Sequence, residues 1–178
     1  MGEYELLQRR KFRDYSVGHR RMYQGPCTLL AGANARVLDV GAGIGYGLAL
    51  LREHGVFREY VGLEPNPRAY AYTLERSTGW EGVKLHNASF PCPDVEGVFD
   101  HVFCIEVVEH LPPDGRGAFL EELRRVTGKI LWLSTPDSRK SSHGALSTPE
   151  WEKMLEGVGF RVVVVEEQWT TLFVCRPV

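Results

Sequence analysis

Val37-Leu38-Asp39-Val40-Gly41-Ala42-Gly43-Ile44-Gly45-Tyr46-Gly47 is the stretch whose reading decides the fold. A short apolar run carries one aspartate and ends in four glycines at alternate positions. An apolar strand that feeds a glycine-rich turn and then a helix lets bare backbone approach a ligand at the end of a parallel sheet. The turn therefore predicts an α/β protein with a binding crevice above its first strand.

Strand and helix patterns alternate outward from that turn. Residues 3–31 read as one or two helices, broken near Gly25-Pro26. Arg36–Val40 reads as the first strand and Tyr46–His54 as a helix. Tyr60–Glu64 is a second strand. Asn66 is placed to cap the next helix, with Pro67 at its first position, where a missing N–H costs nothing. Val83–His86 and Phe99–Ile105 are further strands, the latter apolar enough to be buried on both faces. A helix over Asp114–Arg125 and a strand over Lys129–Ser134 follow. Ser147 and Glu150 have the spacing of a capping box, ahead of a helix that buries Trp151, Met154, Leu155 and Val158. Phe160–Glu166 and Thr171–Cys175 end the chain, separated by only four residues, which forces a hairpin. The expectation is a doubly wound, mostly parallel seven-stranded sheet with an antiparallel last strand and an N-terminal helical segment.

Bulk properties narrow the class. The 178 residues suit a single domain over 1–178, with residues 1–31 as a helical arm or lid. Net charge is −2, which excludes a generic polyanion binder, although Arg9, Arg10, Lys11, Arg13, Arg20 and Arg21 cluster within the segment RRKFRDYSVGHRR. No apolar run reaches the length of a membrane span, and no export signal is visible. Cys27, Cys92, Cys104 and Cys175 are scattered without a CxxC pair, so reduced thiols and a cytoplasmic location are expected.

The glycine spacing selects the ligand. In the dinucleotide fingerprint G-x-G-x-x-G, counted from Gly41 and Gly43, the third glycine is due where Tyr46 stands. No Lys-Ser or Lys-Thr follows, so the phosphate-loop pattern also fails. A diphosphate is disfavoured. A Cβ at Gly41 or Gly43 is expected to take space that a ligand needs.

The pattern D-x-G-x-G-x-G resembles motif I of the class I S-adenosylmethionine-dependent methyltransferases. The resemblance implies that S-adenosylmethionine is the cofactor and that Asp39, Gly41, Ala42, Gly43 and Tyr46 bind it, Asp39 anchoring its amino end directly or through water. Glu64 and Pro65, at the end of the second strand, match the acidic position that accepts hydrogen bonds from both ribose hydroxyls. In "LHNASF", Asn87, Ala88 and Ser89 stand where the family often has an adenine-binding aspartate, which this chain lacks. "FDHVFCIEVVEHLPP" resembles motif IV of the small-molecule branch, which includes enzymes of ubiquinone biosynthesis. It places Ile105 and Glu106 beside the cofactor and Glu109 and His110 toward the acceptor. "STPDS" and "STPEWEKMLEGVGF" match the same branch, so the resemblance spans about residues 30–178. In this family the N-terminal region often folds over the cofactor, which brings in Tyr15, His19 and Tyr23.

The expected reaction moves a methyl group to an oxygen, nitrogen or carbon of a small acceptor. Glu106, Glu109, His110 and His143 are the candidate catalytic residues, with His110 as the base when the acceptor must lose a proton. No metal is assigned. One alternative is a metal-dependent RNA 3′-terminal 2′-O-methyltransferase, because Glu106, Glu109, His110 and His143 resemble the metal ligands of that group. Another is a non-catalytic cofactor-binding module. A homodimer is possible, with Trp169 as an edge contact.

Overall fold

The computed structural model describes residues 17–136, 146–167 and 170–178, and only the backbone at 17–21 and 165–167. Helix α1 (Val17–Leu29) leads into β1 (Ala35–Val40), α2 (Tyr46–Glu53), β2 (Phe57–Leu63), α3 (Pro67–Arg76) and β3 (Val83–His86). Then come β4 (Phe99–Ile105), two short 3₁₀ turns at Val108–His110 and Pro113–Gly115, α4 (Arg116–Val126), β5 (Thr127–Pro136), α5 (Thr148–Gly157), β6 (Phe160–Glu167) and β7 (Thr170–Pro177). The seven strands form one sheet in the order β3-β2-β1-β4-β5-β7-β6. The first five in that order are parallel, and β7 runs antiparallel to both β5 and β6. This is the doubly wound architecture that the sequence predicts.

Alternation along the central strands explains the two layers. Leu38, Val40, Val102 and Cys104 point into one core, with Leu120 and Leu123 of α4 and Trp151 and Leu155 of α5. Val37, Phe103 and Ile105 point into the other, with Met22, Tyr23 and Cys27 of α1 and Leu48 and Leu51 of α2. A strand whose neighbours in sequence face opposite layers is buried on both faces, so β1 and β4 are mostly apolar, and the buried Asp39 within β1 stands out.

Local signals hold where their chemistry is complete. The Asn66 side chain accepts hydrogen bonds from the N–H groups of Arg68 and Ala69 at 3.0 and 3.2 Å, and Pro67 starts α3. The Glu150 carboxylate accepts from the Ser147 N–H at 2.7 Å, which starts α5. Met154 and Val158 pack only at the edge of the core.

One local expectation fails. The first helix is not broken at Gly25-Pro26, and α1 runs through Pro26. Its Met22, Tyr23 and Cys27, with Leu30 just beyond its end, are buried together in one core. Burial of those side chains, at about 1.5–3 kcal/mol for each large one, outweighs the roughly 3 kcal/mol cost of an interior proline.

Candidate active site

Chain connections leave β1 toward β2 on one side, and the sheet continues to β4 on the other. A crevice opens at such a switch point, beyond the carboxyl ends of the strands. Here it is a cavity of about 590 Å³, well within the range of cofactor sites. The loop after β1 supplies Gly41, Ala42 and Gly43 to its wall, and the start of α2 supplies Tyr46. Glu64 and Pro65 come from the end of β2, and Ala88 and Ser89 from beyond β3. Ile105 and Glu106 come from the end of β4, with Glu109 and His110 in the turn after it.

The glycines have separate physical reasons. Gly43 has φ +56°, and a Cβ there would meet nothing nearer than the Gly41 carbonyl oxygen at 3.9 Å, so it would project into open space. At Gly41 a Cβ would meet Val107 Cγ2 at 2.5 Å, and at Gly45 it would meet Thr73 Cγ2 at 2.6 Å. At Gly47 it would run into the Tyr23 ring. A side chain at Gly43 would therefore take up space in the cavity. Gly41, in contrast, is needed for contact with the protein's own Val107.

The first loop is fastened at both ends of Gly43. Its N–H donates to Glu64 Oε2 at 2.8 Å, and its carbonyl accepts from the Thr73 hydroxyl at 3.0 Å. Glu64 Oε1 accepts from the Asn66 N–H at 2.8 Å. An ionised carboxylate has about four acceptor positions. Two are used by backbone N–H groups, and two remain open.

Two candidate residues stand behind the wall instead of on it. Asp39 is fully buried. Its oxygens accept from Tyr60 at 2.7 Å and from Tyr23 at 3.1 Å. Burial pushes its carboxyl up to about 6, against the pull of those two hydroxyls, with the charge of Glu64 adding to the rise. Asn87 turns its amide N–H₂ to the carbonyls of Glu64 and Pro65, at 2.8 and 3.1 Å. It thus braces the loop after β2. Tyr23 does line the cavity, its ring stacked on Phe103 at 5.4 Å between centroids. Tyr15 lies outside the described residues, and so do the side chain of His19, His143 and Trp169.

The other end of the cavity is acidic. Glu106 has φ +55°, an uncommon conformation for a residue with a side chain. Ser134 holds it there: the Ser134 hydroxyl donates to Glu106 Oε1 at 2.9 Å, and the Glu106 N–H donates to Ser134 Oγ at 3.1 Å. Burial raises the Glu106 carboxyl. Glu109 is 7% exposed, and its Oε2 has no hydrogen-bond partner among the described residues. Burial first, and the neighbouring Glu106 second, push its carboxyl up to about 8. The His110 side chain is 76% exposed, with Nε2 3.9 Å from Glu109 Oε1, so it stands at the rim. No lysine or arginine lines the cavity among the described residues. The sequence reading missed Tyr60 and Ser134, which hold Asp39 and Glu106. Ser134 lies in the quoted "STPDS" run, but nothing in the local pattern marks Tyr60.

Residues 38–129 match the family model described as "Methyltransferase domain", just over half of the chain. The chain belongs to the methyltransferase-domain family. Over 91 residues it is 36% identical to an uncharacterized methyltransferase of Mycobacterium sp. strain KMS. That match takes in 51% of this chain and 34% of the relative, so the chain matches about a third of the length of its curated relatives. Among solved structures, the family fold aligns with magnesium protoporphyrin IX methyltransferase from Synechocystis PCC 6803 with bound S-adenosylmethionine. The TM-score is 0.76 at 17% identity, covering 93% of this chain and 83% of that one. It also aligns with 1,6-didemethyltoxoflavin-N1-methyltransferase of Burkholderia thailandensis, bound to 1,6-didemethyltoxoflavin and S-adenosylhomocysteine. There the TM-score is 0.72 at 20% identity, covering 93% of this chain and 81% of that one. No helix of the described residues is long and apolar enough to cross a membrane.

Proposed function

We propose that this chain is an S-adenosylmethionine-dependent methyltransferase acting on a small acceptor at oxygen, nitrogen or carbon. The observation that carries the reading is the cavity at the switch point. Its floor at Gly43 is open, its Glu64 has acceptor positions to spare, and no lysine or arginine lines it among the described residues. Such a site suits a nucleoside with hydroxyl groups better than a diphosphate. The two solved structures above, similar in fold, are named for magnesium protoporphyrin IX and 1,6-didemethyltoxoflavin, both small molecules.

Gly41, Ala42 and Gly43 give the cofactor its backbone cradle, and Glu64 takes its ribose hydroxyls. Ala88 and Ser89 border its base. Asp39 acts through Tyr23, which lines the cavity and donates its hydroxyl hydrogen bond to the carboxylate. When bound, S-adenosylmethionine supplies a methyl group on a sulfonium that leaves as a neutral thioether. Positioning the acceptor in line with that methyl is then the main task of the protein. Glu106, Glu109 and His110 face the acceptor. Where the acceptor loses a proton, His110 at the rim receives it, because Glu109, whose buried carboxyl is raised to about 8, holds its own proton at neutral pH and donates a hydrogen bond instead. His110 closes the rim. The acidic wall favours an acceptor group that donates hydrogen bonds, such as a hydroxyl or an amine, over one rich in phosphate. Residues 1–178 act as one unit, with α1 as a lid, a reading supported by Tyr23 on the cavity wall; residues 1–16 of the expected lid lie outside the described residues. Four free, buried cysteines fit a reducing cytoplasm.

Calorimetry with S-adenosylmethionine and S-adenosylhomocysteine, followed by transfer of labelled methyl across an acceptor panel, tests the proposal. Binding of both and methylation of a small acceptor are expected. Absence of binding on folded protein overturns the reading. Binding without transfer to any acceptor points to a non-catalytic module, and metal-dependent transfer to RNA alone points to the nucleic-acid alternative.

A further inference from the structure

The segment that joins β3 to β4 has two sides. Ala88, Ser89 and Phe90 line the cavity. Away from that wall, His86 at the end of β3, Cys92 and Asp94 bring one donor atom each to within 4.8 Å of one another. His86 is half-buried, Cys92 is buried and Asp94 is exposed. Among the described residues this is where three metal-type donors converge, whereas Glu106, Glu109 and His110 form no such group. None of the three side chains has a hydrogen bond or ion pair with another described residue. A histidine nitrogen, a buried thiol sulfur and a carboxylate oxygen thus converge with no protein partner among the described residues, and they combine the soft and borderline donors that a zinc-type ion selects.

From this geometry we infer that His86, Cys92 and Asp94 form a site for a zinc-type divalent cation. The donor set decides the metal class. Imidazole and thiolate suit zinc, while magnesium prefers an all-oxygen octahedron. Zinc bonds of about 2.0–2.3 Å put tetrahedral ligands roughly 3–4 Å apart, so side-chain rotations of about 1 Å close the set. Asp94 lies on the solvent side, which leaves the fourth position to water. Binding deprotonates the Cys92 thiol and releases that proton to solvent. The cation would staple the end of β3 to the far half of the loop that carries Ala88, Ser89 and Phe90. The inference rests on these residues alone and does not depend on the methyltransferase reading.

Calorimetric titration of the reduced full chain with zinc chloride tests it. One zinc per chain and a rise in melting temperature are expected. Changing a ligand should weaken binding by at least the roughly 10–100-fold typical of outer-shell changes, so His86→Gln, Cys92→Ser and Asp94→Asn should each show such a loss. Cobalt(II) in place of zinc should give a near-ultraviolet thiolate charge-transfer band that Cys92→Ser abolishes. Asp94 is exposed, so Asp94→Asn keeps the test valid if the change at buried Cys92 prevents folding. The inference falls if the folded chain takes up no zinc. It also falls if zinc affinity is unchanged in His86→Gln and Asp94→Asn, or if the cobalt form lacks the thiolate band.

Discussion

The Tyr60 hydroxyl donates a 2.7 Å hydrogen bond to Asp39, with both residues fully buried. They belong to neighbouring parallel strands, in which Asp39 pairs with Gly62. A Cβ at Gly62 would lie 2.8 Å from the Tyr60 ring. The bare glycine thus lets that ring lie across to the carboxylate. Tyr60→Phe removes the donor and leaves a buried carboxylate oxygen unpaired. A loss of about 1.5–3 kcal/mol in folding stability is expected by urea denaturation, as for hydrogen bonds to charged groups. Tyr23→Phe breaks the longer 3.1 Å bond and should cost less, but Tyr23 lines the cavity, so weaker S-adenosylhomocysteine binding is expected there and not in Tyr60→Phe. Equal effects of the two changes on binding would refute this division of roles.

Gly43→Ala and Gly45→Ala separate a ligand's need from the protein's own. Both residues have positive φ, which costs an alanine about 1–2 kcal/mol. At Gly45 the added methyl also meets Thr73, so the larger drop in melting temperature is expected there. At Gly43 the methyl enters open space, so cofactor affinity should fall by more than about tenfold, or 1.4 kcal/mol. Melting curves with and without S-adenosylhomocysteine provide both readings.

Glu109 makes stability depend on pH. Its carboxyl is pushed from an ordinary 4.5 to about 8, so the native state holds its proton more tightly than the unfolded chain. Stability from this group is complete below about pH 4.5 and is lost as pH rises to 8. Asp39, raised to about 6, acts in the same direction over a lower window. Glu109→Gln stays neutral throughout. The melting temperature of that variant, relative to the unaltered protein, should climb from pH 5 to pH 8. A flat difference across that range contradicts the assignment.

Arg36 ties three segments together. Its Nε donates to Glu59 at 2.6 Å, its guanidinium reaches the carbonyls of Val98 and Glu96, and its carbon lies 4.3 Å from the Phe99 ring centroid. Arg36→Met should cost about 1–2 kcal/mol by denaturant titration, because the ion pair is only part-buried. Arg36→Lys should not restore the loss, since a point charge lacks the planar fork that spans these partners.

Short-range chemistry was readable directly from the chain. An apolar run before alternate glycines placed β1 and the ligand loop. Asn66-Pro67 and Ser147 with Glu150 set their helix starts, because a cap needs only residues three or four apart. A four-residue gap fixed the final hairpin, since no crossover fits within it. The mostly parallel sheet followed from those local facts together.

Packing decided the rest. Pro26 remains inside a helix because distant β strands bury its neighbours. Asp39 and Asn87 stand behind the cavity wall because their polar atoms are taken by Tyr60, Tyr23 and backbone carbonyls from other segments. His86, Cys92 and Asp94 meet only after β3 and its loop are folded. A sequence lists donors and acceptors, but which of them are satisfied, and which are left facing a cavity, depends on contacts that chain order does not contain.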